Sequence, residues 1–102
     1  MIRRRRDDEV RPEAQAILRR QVEHLRRTSY AELCTQLDEP QAFEVESPSG
    51  RVFQLEVLTF LDDKRARDLR VIVAIDDSTG MRVFDYLSAS FIMAPDGSFV
   101  GE

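Results

Sequence analysis

The chain has 102 residues, 42% apolar and 33% charged, with a formal charge of −4 at neutral pH. That composition belongs to a folded globular chain, excludes a disordered or membrane-spanning one, and at this length leaves room for a single domain. The lone cysteine, Cys34, excludes an internal disulfide and a cysteine-rich zinc site, so a reducing, cytoplasmic setting is expected.

The chain opens on Arg3, Arg4, Arg5 and Arg6, which imitate the basic start of a signal peptide. Asp7, Asp8 and Glu9 then stand where its apolar segment would be, so export is not expected. Residues 1–11 read as a flexible charged arm and 12–102 as one domain. Charge is unevenly spread: residues 1–30 hold nine arginines against five acids, and residues 31–102 hold six bases against fourteen acids. A basic arm on its own acidic body, the same arm on a partner's acidic body, and a nucleic-acid patch would each produce this asymmetry.

Pro12 suits a first helical turn, where its missing N–H is not needed. Ala14, Leu18, Val22 and Leu25 follow it at helical spacing on one stripe. Continuing that stripe would place Ser29 at its centre, while Tyr30, Leu33, Cys34 and Leu37 form a new one. Ser29 to Glu32 also has the form of a capping box. The expectation is two helices, about 12–27 and 30–37, closed by Pro40.

From residue 42 the apolar period changes to two. Phe43 and Val45, then Phe53, Leu55 and Val57, then Leu69, Val71, Val73 and Ile75 alternate with mostly polar neighbours, which is the pattern of half-buried strands. Ser47-Pro48-Ser49-Gly50 and Ala94-Pro95-Asp96-Gly97 share one turn grammar, in which Pro fixes φ and Gly takes the left-handed position. Pairing 47 with 51 keeps Phe43 and Val45 on the face of Phe53 and Leu55. A charged loop from Asp62 to Asp68, a turn at Asp77 to Gly80, a fourth strand within 82–93 and a short fifth at 98–100 complete a meander. The predicted fold is α+β: two N-terminal helices packed on one face of a four- to five-stranded antiparallel β-meander.

Catalytic constellations are scarce. His24 and Cys34 are the one candidate nucleophile pair, ten residues apart and without helical proximity, and they read as a surface His and a structural Cys. Ser88 and Ser90 lack the glycine of a nucleophile elbow. Asp62-Asp63 and Asp76-Asp77 fall at opposite ends of a strand and read as turn chemistry, so no metal is expected. None of Gly50, Gly80, Gly97 and Gly101 precedes a helix, so no nucleotide or other cofactor is expected. Arg19, Arg20, Arg26 and Arg27 line a helical stripe, the basis of an alternative reading as a nucleic-acid-associated protein, although Glu23 interrupts them and no exposed aromatic interleaves.

One feature asks for a partner. By alternation Leu58, Phe60 and Ile72 fall side by side on the sheet face away from the helices. Burying Asp85 unpaired is costly, so Asp85 is expected outward with Phe84 and Tyr86 inside, and Val83 and Leu87 then join the outer patch. Residues 90–100, the N-terminal helix or another protein would each cover it. The sequence reads best as a small non-enzymatic interaction domain, self-associating through this face as a homodimer. The further alternative is an enzyme or ligand binder with an acidic site near Asp85.

Overall fold

The computed structural model describes residues 2–77 and 87–102, with side chains described for 10–76 and 87–102. Helix α1 spans Ile2–Arg26, so it begins ten residues before the expected start and runs through the stretch read as an arm. Pro12 lies inside it rather than at its first turn. A helical proline costs about 3 kcal/mol. Burial on the same stretch offsets much of that: Val10 and Ala14 are fully buried, and a buried valine alone contributes roughly 1.5–3 kcal/mol. Val10 sits four residues before Ala14, so the stripe of Ala14, Leu18 and Leu25 extends backward across the proline, joined by Ile17.

Helix α2 is a single turn, Tyr30–Cys34, in place of the expected 30–37. Ser29 caps it as its sequence suggests, its Oγ accepting the Glu32 N–H at 3.1 Å. After Cys34 the backbone tightens to i→i−3 bonds, with Gln36 and Leu37 donating to the Leu33 and Cys34 carbonyls. Asp38 then turns at φ 60°. Its N–H donates to the Thr59 carbonyl at 2.7 Å, and Leu37 bridges Thr59 in parallel. Capture by the sheet ends the helix early. The helical layer is therefore one long helix with a capped turn beside it, rather than two packed helices.

Strands β1 (Gln41–Glu46), β2 (Val52–Asp63), β3 (Asp68–Asp77) and β4 (Leu87–Met93) form an antiparallel sheet in the order β1-β2-β3-β4. Phe43 faces Leu55 and Val45 faces Phe53, as parity requires. The 47–51 turn closes with Ser47 N–H donating to the Arg51 carbonyl at 2.7 Å, and Gly50 takes φ +90°. The 94–98 turn repeats it, with Ala94 N–H to the Ser98 carbonyl at 2.8 Å and Gly97 at φ +88°. The expected fifth strand reduces to one bridge, Met93 to Phe99. The part of the expected fourth strand before Leu87 and the turn after Asp77 lie outside the described residues. Phe53, Leu55 and Val57, Leu69 to Ile75 at alternate positions, and Phe91 and Met93 face α1 and Leu33 across the core, with α1 packed on β3 and β4.

Candidate contact surface

The orientation of the expected patch depends on the β2 register. Pairing of β2 with β3 is continuous from Phe53–Asp77 to Leu61–Leu69, and the one irregularity lies between Leu61 and Asp63. No bulge near Val57 turns the following residues inward. Because Leu55, Val57, Val71 and Val73 face the helical layer, their neighbours Leu58, Phe60 and Ile72 face away from it. Leu58 stands opposite Ile72, and Phe60 opposite Arg70. All three are half-buried.

Two corrections follow from β4. Leu87 stands opposite Ile75 and packs against the core, so it is not part of the outer patch. Phe91 and Met93, both buried at the same parity, settle that orientation. The same parity turns Ile92 outward, opposite Arg70 and flanking it from the side away from Phe60. Ile92 is a member of the patch that the sequence reading missed. The signal was present, since 92 alternates with two large apolar residues, but parity had been anchored on Asp85. Val83, Phe84, Asp85 and Tyr86 lie outside the described residues, and with them the site proposed near Asp85.

Among the described residues neither intrachain covering lies over the patch. Helix α1 packs on the opposite face of the sheet. Residues 98–100 extend the β4 edge, where Val100 N–H donates to the Ile92 carbonyl at 2.9 Å and Phe99 turns toward the core, meeting Phe91 edge to face at 5.7 Å between centroids.

The outer face is chemically divided along its strands. Beyond Leu58 and Ile72 comes a row with two alanines, Ala42, Glu56, Ala74 and Ser88 in register, and then Glu44, Gln54 and Asp76. The small side chains leave an open depression of about 280 Å³ bordered by Ala42, Gln54, Glu56, Ala74 and Asp76. Glu44, Glu46 and Glu56 are exposed. At the other end Arg70 Nε holds Asp62 Oδ1 at 2.8 Å. Asp63 Oδ1 accepts the Arg65 and Ala66 N–H groups at 2.9 and 3.0 Å, the turn chemistry expected of it. Lys64, Arg65 and Arg67 project from that loop into solvent. No group of three His, Cys, Asp or Glu side chains among the described residues has the arrangement of a metal site.

The arginine stripe of α1 does not survive intact. Arg19, Arg20 and Arg27 are exposed, but Arg26 grips the Glu102 carboxylate with two hydrogen bonds of 2.6 and 2.7 Å. Its guanidinium also lies 3.7 Å from the Phe99 ring centroid. Those hydrogen bonds raise the Arg26 pKa and hold the Glu102 carboxyl below its usual range. Near Arg19 a second concavity, of about 370 Å³, opens between Leu18 and Val22 of α1 and Ala89 of β4.

His24 is exposed on α1 and Cys34 half-buried on α2. The Tyr30 phenol donates to the Arg67 carbonyl at 2.5 Å. Desolvation first, and the neighbouring Cys34 thiol second, push that phenol above its ordinary pKa. No helix among the described residues is long and apolar enough to cross a membrane. Comparison with family models, curated proteins and solved structures finds no match for this chain.

Proposed function

We propose that this chain is a small non-enzymatic interaction domain that self-associates through its outer sheet face. The carrying observation is the contiguous cluster of Leu58, Phe60, Ile72 and Ile92, held outward by an unbroken register. The carboxylates on this face stand on an open surface, which suits contact rather than catalysis. The single thiol fits a reducing, cytoplasmic setting.

Magnitudes say what the association requires. At about 25 cal/mol per Å², covering roughly 200 Å² of apolar surface contributes about 5 kcal/mol. Lost translational and rotational freedom costs about 4–15 kcal/mol. The cluster alone meets only the low end of that cost, so a stable contact takes in the charged and small-residue rows beside it.

Light scattering on wild type and Phe60→Asp at matched concentration tests the reading. The expected result is a wild-type dimer and a monomeric variant with unchanged circular dichroism. A wild type that remains monomeric up to millimolar concentration overturns it.

A further inference from the structure

The outer face carries more information than its apolar cluster, because charge is sorted along the strand direction. One end holds Glu44, Glu46 and Glu56. The other holds Arg70 and a loop that presents Lys64, Arg65 and Arg67 to solvent. Of the three acids at that second end, Asp62 is paired with Arg70, Asp63 accepts backbone N–H groups and Asp68 opens β3, so against its four cations this end carries a single net positive charge. Leu58 and Ile72 lie between the ends.

We infer that the occupant of this face is a second copy of the chain docked with its strands antiparallel, so that the basic loop end of each copy covers the acidic end of the other. This rests on the self-association reading and assigns its geometry. The two-fold axis lies between the sheets, across the strands, near Leu58 and Ile72. Two residues along a strand advance about 6.6 Å, so the row of Phe60, Arg70 and Ile92 falls over the partner's row of Ala42, Glu56, Ala74 and Ser88. There the large side chains meet the depression left by the alanines, and Arg70, paired with Asp62 of its own copy, lies near the partner's Glu56. Two rows further out, the loop carrying Lys64 and Arg65 reaches the partner's Glu44 and Glu46.

Electrostatics selects this orientation over the other symmetric one. A two-fold axis parallel to the strands would bring both acidic ends together, and like-charge juxtaposition in an interface costs several kcal/mol. Glu44, Glu46 and Glu56 make no ion pair among the described residues, so their charge is available to a partner. The area is also sufficient. Strands of 6, 12, 10 and 7 residues, at about 3.3 Å per residue and about 4.8 Å spacing, give a face of about 550 Å², or about 1,100 Å² for both copies, just above the roughly 1,000 Å² expected of a specific interface.

The test uses exposed residues on an edge strand and a loop, where substitution spares the core. Two double variants, Glu44→Lys/Glu46→Lys and Lys64→Glu/Arg65→Glu, are each expected to weaken dimerisation by about 100-fold or more, as like charges meet at two symmetric contacts. Mixed in equal amounts, the two variants are expected to recover a heterodimer of near wild-type affinity in sedimentation velocity, because each contact then joins opposite charges. Association strengthened by Glu44→Lys/Glu46→Lys would overturn the antiparallel geometry in favour of the parallel one. Loss in that variant alone, with Lys64→Glu/Arg65→Glu unaffected and no recovery on mixing, would overturn it in favour of α1 of one copy lying on the sheet of the next. Circular dichroism on each variant separates these outcomes from unfolding. A monomeric wild type defeats the self-association reading itself, whereas a dimer broken by Phe60→Asp but indifferent to these charges defeats only the orientation.

Discussion

The two tight turns of the sheet share a backbone and differ in how they are fastened to α1. In each, a first-position N–H closes on the fifth residue and a glycine takes positive φ, +90° at Gly50 and +88° at Gly97. The first begins with Ser47, a residue only 4% exposed whose hydroxyl donates to Glu13 Oε1 at 3.2 Å, while Arg51 Nε lies 3.0 Å from Glu13 Oε2. The second begins with Ala94, whose methyl group can neither donate nor accept a hydrogen bond. Its fastening falls to residues beyond the turn, with Arg26 pairing Glu102 and stacking on Phe99. One turn is anchored from within and the other from its tail. Local sequence sets the conformation of a turn, and the first side chain decides where its tertiary contact must come from.

The largest effect that would test this contrast is at the inner anchor. Glu13→Ala removes the ion pair with Arg51 and the acceptor of a buried hydroxyl, although Ser47 keeps Ser49 Oγ at 2.9 Å. A lost hydrogen bond to a charged group costs about 1.5–3 kcal/mol. Arg51 is partly solvated, so the expected loss in urea denaturation is about 1–2 kcal/mol. No change would mean that the turn holds its place on α1 by backbone alone.

Of similar size are the glycines, and here the expectation is equality between the two turns. A Cβ at Gly50 or Gly97 meets nothing within 4 Å, so Gly→Ala at either position carries only the left-handed backbone cost of about 1–2 kcal/mol. Matching losses in parallel melts would support one turn geometry with two fastenings. A much larger loss at one position would show that the conformations are not interchangeable.

These two turns also mark how far the sequence was legible. Both were read correctly because Pro, a small polar residue and Gly act within four residues, and because the register they impose agrees with the alternation of Phe43, Val45, Phe53 and Leu55. The outward placement of Leu58, Phe60 and Ile72 followed from the same parity. The α1 start was misplaced because Pro12 satisfies a local rule for a first turn, while the burial of Val10 that overrides it exists only in the folded chain. α2 was drawn too long because Thr59, more than twenty residues away, captures Asp38. Leu87 was turned outward on the weight of one acid, against the two buried residues that decide its strand. Arg26 was grouped with its neighbours because its partner Glu102 is 76 residues distant.

The smallest effect is acid sensitivity, and it should belong to the second turn's end of the molecule. Two carboxyl groups there sit below their ordinary pKa values: Glu102, chiefly through its hydrogen bonds from Arg26, and Asp96, through the hydroxyl and then the backbone N–H of Ser98. A carboxyl whose folded pKa is depressed contributes stability that is fully present above its unfolded pKa and disappears as pH falls through the folded value. The stability lost in Glu102→Gln should therefore be constant near neutral pH and shrink toward zero below the ordinary glutamate range, where wild type also carries a protonated group. Both side chains are exposed, so the difference is small and screened by salt. Measuring the gap between wild type and Glu102→Gln across the acid range, at low and high salt, isolates it. The absence of any gap across the whole pH range would assign the fastening to the Arg26–Phe99 stack alone, which Glu102→Gln leaves in place.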